Sequence, residues 1–108
     1  MSTNRHIAKP YAKALYELGV SSDTLQGWGA ALDFLVACIT DKQVQILLKD
    51  PAISDMRIAE FIVDTFAKQL PEQSYKNFVR LLGNNKRLST IPAIKDEFVE
   101  LIVEFEIV

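Results

Sequence analysis

Ile7-Ala8-Lys9-Pro10-Tyr11-Ala12-Lys13-Ala14-Leu15-Tyr16-Glu17-Leu18 carries two apolar stripes when it is wound as a helix. One is Ile7, Tyr11, Ala14 and Leu18, spaced by 4, 3 and 4 residues. The other is Ala8, Ala12 and Leu15, spaced by 4 and 3 and turned from the first by about 100°. Lys9, Lys13 and Glu17 fill the remaining surface. A helix lying on a core needs one such stripe. A helix with two is either central in a bundle or keeps its second side for a partner, and the residues alone leave both open.

Working outward, Ser2, Thr3 or Asn4 is placed to cap this helix. Pro10 lacks a donor and its ring opposes the carbonyl of His6. Either the helix kinks there, or a short turn precedes a helix that starts at Pro10. Gly19 and Ser21-Ser22 are expected to end it. Ser22, with Asp23 behind it, then reads as the cap of a second helix whose stripe is Leu25, Trp28, Leu32, Leu35, Val36 and Ile39. Gly27 and Gly29 weaken that helix by about 1 kcal/mol each, unless close packing requires them.

Thr40-Asp41 breaks the run, and a short third helix follows with Val44, Leu47 and Leu48 inward. Asp50-Pro51 closes it. Ser54 caps a fourth helix with stripe Ile58, Phe61, Ile62, Phe66 and Leu70. After Pro71, a fifth helix carries Tyr75, Phe78, Val79 and Leu82, with Leu81 and Gly83 off the stripe. It too shows more apolar surface than one face needs, and Gly83-Asn84-Asn85 is its expected stop. Ser89 or Thr90 caps a sixth helix of Ile91, Ile94, Phe98, Leu101, Ile102 and Phe105, with Asp96, Glu97, Glu100 and Glu104 outside. The last residues, 103–108, alternate apolar and charged as a strand does. Six amphipathic helices with short loops predict an all-α fold, a compact six-helix bundle. Residues 1–105 would form it, and 106–108 would begin a linker to a carboxyl-terminal domain beyond this chain.

Composition narrows the function. The 108 residues are 49% hydrophobic, with a net charge of −2. That fits one core, and it argues against general nucleic-acid binding, which needs a basic face to displace counterions. No apolar run reaches the ~18 residues of a spanning helix, so the chain reads as soluble and cytoplasmic, or peripheral to a membrane. His6 is the only histidine and Cys38 the only cysteine, far apart. His6 lacks a partner for acid–base work, Cys38 lacks a base to activate it, and the two cannot build a zinc site. Nothing matches a phosphate-binding glycine loop. No cofactor and no catalytic residue are expected. Lys86-Arg87 and the acidic face of the sixth helix read most simply as dipole complement and solvated surface.

Two stretches carry a resemblance. Lys9-Pro10-Tyr11-Ala12-Lys13-Ala14-Leu15-Tyr16 is similar to the opening signature of the delta subunit family of bacterial ATP synthase, known in mitochondria as the oligomycin-sensitivity-conferring protein. Gly83-Asn84-Asn85-Lys86-Arg87-Leu88, followed by Ile91-Pro92 and Phe98, resembles the second signature of that family. Lys86 stands where some members have glycine. The resemblance covers nearly all of this chain and the amino-terminal half of the family. It implies a six-helix domain and a non-catalytic stator role in the peripheral stalk of the membrane-bound enzyme. In the family, the groove between the first and fifth helices receives the amino-terminal helix of an alpha subunit. Carried over by position, Tyr11, Ala14 and Leu81 match family contacts, and spacing adds Ile7, Leu18 and Val79. The b subunit of the stalk would meet the domain not present here. A generic helical adaptor for another amphipathic peptide is the alternative, and a small enzyme has no constellation to support it.

Overall fold

The computed structural model describes residues 2–107, with side chains from Arg5 onward. The expected cap at Ser2, Thr3 or Asn4, and the end of the strand-like stretch at Val108, lie outside the described side chains. Six α-helices form, with no strand among the described residues. They are α1 (Ser2–Ser22), α2 (Leu25–Thr40), α3 (Lys42–Lys49), α4 (Asp55–Thr65), α5 (Gln73–Asn84) and α6 (Ile91–Phe105), with a 3-10 turn at Leu88–Thr90. The all-α expectation holds.

The chain divides into two units, residues 1–33 with 90–108, and residues 34–89, so the division falls inside α2. In the first unit the main packing is α1 on α6. Arg5 and Lys9 meet Glu97, while Tyr16 meets Glu106, so the two helices run parallel. Ala8, Ala12 and Leu15 are buried, and so are Ile91, Ile94 and Phe98. Small side chains at 8 and 12 let helix axes approach closely. In the second unit α4 packs on α5, and α3 touches α4. Its interior includes Leu35, Val44, Ile58, Ile62, Val63, Leu70, Phe78, Val79, Leu82 and Leu88.

Pro10 sits within α1, so one helix runs through it and the alternative of a start at Pro10 is excluded. An interior proline costs about 3 kcal/mol. Burial of the Ala8, Ala12 and Leu15 side offsets that, since one Leu alone contributes about 1.5–3 kcal/mol.

Gly19 does not end α1. A Cβ there would lie 2.7 Å from Leu25 Cδ2 and 3.3 Å from Leu25 Cα, so the glycine lies within the helix where the start of α2 approaches it closely. The end comes later. Asp23 takes a left-handed conformation (φ 56°). Thr24 N–H donates to Gly19 O at 2.8 Å and Asp23 N–H to Val20 O at 3.4 Å, which satisfies two otherwise orphaned carbonyls. Ser22 therefore belongs to α1, where its hydroxyl donates to Leu18 O at 2.6 Å. The first bond of α2 is Trp28 N–H to Thr24 O, which replaces the expected cap at Ser22.

The same device ends α5. Lys86 is left-handed (φ 59°), and Arg87 N–H donates to Leu82 O at 2.8 Å. Gly83, expected as part of the stop, is instead buried in the helix against α4. A Cβ on it would lie 2.6 Å from Ala59 Cβ and 3.1 Å from Asp55 O. Ser54 caps α4 as expected, accepting from Arg57 N–H at 3.2 Å. Phe61 is 48% exposed and Phe105 is 56% exposed, so neither joins the interior as expected. The strand-like alternation after Val103 is overruled. α6 continues to Phe105, and Glu106 N–H donates to Ile102 O at 2.8 Å.

Candidate functional site

The two stripes of α1 have different fates. Ala8, Ala12 and Leu15 are inside, along with Gly19. Ile7 and Tyr11 are half-buried, Ala14 is exposed, and Leu18 is 45% exposed. The second stripe is therefore not consumed by the core. It presents a wide apolar strip one turn apart along a single helix. A strip of this kind is what an amphipathic helix needs on its receiving side.

On α5 the candidates separate. Leu81 is 47% exposed, whereas Val79 has no accessible surface. Val79 falls on the inward face with Phe78 and Leu82, so it supports the helix and cannot touch a partner directly. Met56 and Phe61 of α4 are each 48% exposed, and the sequence stripe had placed Phe61 inside. Helical spacing alone misplaces Phe61, because Ile58, Ile62 and Val63 already complete the inner face.

The charged groups arrange for structure. Glu97, expected on the solvated side of α6, is 7% exposed. Arg5 Nε donates to its carboxylate at 2.7 Å and Lys9 Nζ at 3.2 Å, and Arg5 also pairs with Glu100. Those hydrogen bonds, led by Arg5, hold the Glu97 carboxyl below its ordinary 4.5 against the opposing effect of burial. Arg80 Nε donates to Glu60 at 2.7 Å, tying α5 to α4. Cys38 is buried, and burial pushes its thiol up to about 11, the opposite of what a nucleophile needs. His6 is exposed. Among the described residues, no group of three or more His, Cys, Asp or Glu side chains could hold a metal ion. Nor is any described helix long and apolar enough to cross a membrane.

These features define an all-helical protein with an apolar strip left at the surface of its first helix. Comparison with known proteins makes the class specific. Residues 7–107 match the family described as ATP synthase delta (OSCP) subunit. The chain is 36% identical over 106 residues to the ATP synthase subunit delta of Aromatoleum aromaticum, covering 98% of this chain and 59% of that protein. It is 35% identical over 92 residues to that of Marinobacter nauticus, covering 85% of this chain and 51% of that protein. With that of Cellvibrio japonicus it shares 36% over 100 residues, covering 93% of this chain and 56% of the relative. The chain belongs to the ATP synthase delta (OSCP) subunit family. It spans between about half and three-fifths of the length of these relatives.

Proposed function

We propose that this chain serves as a peripheral-stalk domain of a proton-translocating ATP synthase. It would hold the catalytic head against rotation by binding the amino-terminal helix of an alpha subunit. The role is mechanical and needs no chemistry of its own. The observation that carries this reading is the unspent stripe of α1, where Ala14 and Leu18 stay exposed while Ala8, Ala12 and Leu15 complete the core. Burial of apolar surface contributes about 25 cal/mol per Å2, less the cost of association and of ordering a flexible peptide. Tyr11 would be the aromatic anchor, and small Ala14 would permit close approach. Leu81 is a separate contact on α5. Val79 would act from beneath the surface. The amino-terminal helical domain would comprise residues 1–105. The b subunit would be met by the portion of the family that this chain does not span. The assembled complex would sit at the cytoplasmic side of the inner (plasma) membrane, with this domain peripheral to it.

The test is an NMR titration of labelled protein with a peptide from the amino terminus of the partner alpha subunit. Shifts on residues 7–18, with weaker binding in Tyr11→Ala and Leu18→Ala, are expected. Leu81→Ala tests the α5 contact by itself. Saturating peptide that leaves the folded domain unshifted would remove the stator reading. Equal binding of unrelated amphipathic peptides would reduce the domain to a generic adaptor.

A further inference from the structure

α1 has a third side, turned neither to the core nor along the unspent stripe. Here α1 and α6 enclose a half-open cleft of about 650 Å3, within the ~300–1,000 Å3 range of ligand sites. Because the helices run parallel, its two ends differ. At one end the Lys9–Glu97 pair, 3.2 Å apart, closes the cleft with its charges already matched. At the other, Tyr16 and Phe105 stand with ring centroids 6.0 Å apart, beside Leu101. Glu17, Glu104 and Glu106 line the same cleft. Tyr16 donates to Glu106, and Glu17 and Glu104 have no ion-pair partner among the described residues. Against three carboxylates, the one cation lining the cleft without an ion-pair partner among the described residues is Lys13.

An aromatic pair in a cleft that three carboxylates also line complements a cation on an apolar stem. The rings attract the charge and cover the stem, and the carboxylates accept its N–H groups. We propose that this cleft is a second docking site, which takes a partner protein's helix carrying an Arg at the aromatic end and an apolar residue on Leu101. The excess of negative charge on the rim selects a basic segment, and Lys13 orients it with any acidic residue toward the paired end. This site is separate from the exposed stripe of α1 and does not depend on the stator reading.

The probe is a blocked helical peptide of about four turns, alanine-rich, with Leu one turn before Arg. Its control carries Glu in place of Arg. Titrated into labelled protein, the Arg peptide should shift Lys13, Tyr16, Leu101 and Phe105. Its binding should fall about tenfold in Glu104→Gln, as expected for loss of one charge-assisted contact, and should weaken with salt. Glu104 is exposed, so that variant keeps the fold, which circular dichroism checks. Leu18→Ala should leave this binding unchanged. Equal binding of the Glu peptide, shifts confined to Ile7 and Leu18, or no shifts at millimolar peptide would each overturn the proposal.

Discussion

Lys86 holds a left-handed backbone (φ 59°) that an L side chain adopts only at a cost of about 1 kcal/mol. Its place at the end of α5 calls for glycine, so Lys86→Gly is expected to raise stability by about 0.5–1 kcal/mol. A shift of the urea midpoint with unchanged slope checks it. Position 83 predicts the reverse. Its missing Cβ is filled by Ala59 at 2.6 Å and Asp55 O at 3.1 Å, so Gly83→Ala must push α4 and α5 apart. A loss of about 1–3 kcal/mol is expected. Gly29 meets nothing within 4 Å, and Gly29→Ala should instead gain up to about 1 kcal/mol. The same denaturation series reads all three. That α5 stops near Gly83-Asn84-Asn85 was legible in the sequence. The difference between Gly29 and Gly83 was not, because a glycine's reason lies in what approaches it from another helix.

At the scale of elements, α1 and α6 are joined by their buried inner faces and by Glu97 with Arg5 and Lys9. Periodicity put Glu97 outside, since nothing local shows that two cations from the other end of the chain will cover it. Its folded pKa lies below 4.5, so its contribution is complete at neutral pH. That contribution begins to fall near 4.5 and is lost as pH drops through the depressed folded value. Glu97→Gln should therefore lower the melting temperature by a few degrees at pH 7, with the gap to the parent closing in strong acid. Melting curves at the two pH values check it. A gap that persists in acid would mean the substitution acts through packing. The helices themselves, and the cap at Ser54, followed from local chemistry. The left-handed backbone at Asp23 and Lys86 did not, because no glycine announces it there.

For the whole molecule, binding and stability are linked. A peptide that binds only the folded chain should stabilise it by about 2.7 kcal/mol at a hundredfold excess over Kd. The alpha-subunit peptide is expected to raise the melting temperature in this concentration-dependent way, and Tyr11→Ala should move the curve to higher peptide. A melting temperature indifferent to peptide would argue against binding to the folded state. By itself the sequence determined the helical class, the six elements, the two stripes of α1 and the family, because each is written in short-range spacing and motif order. Only the tertiary structure decided that Ala14, Leu18 and Leu81 remain at the surface while Val79 does not. It alone also set Glu97 inside and brought Tyr16 to Phe105. Exposure belongs to the packed chain. An apolar residue is buried or left out according to which neighbours reach the same face first, and those neighbours lie tens of residues away.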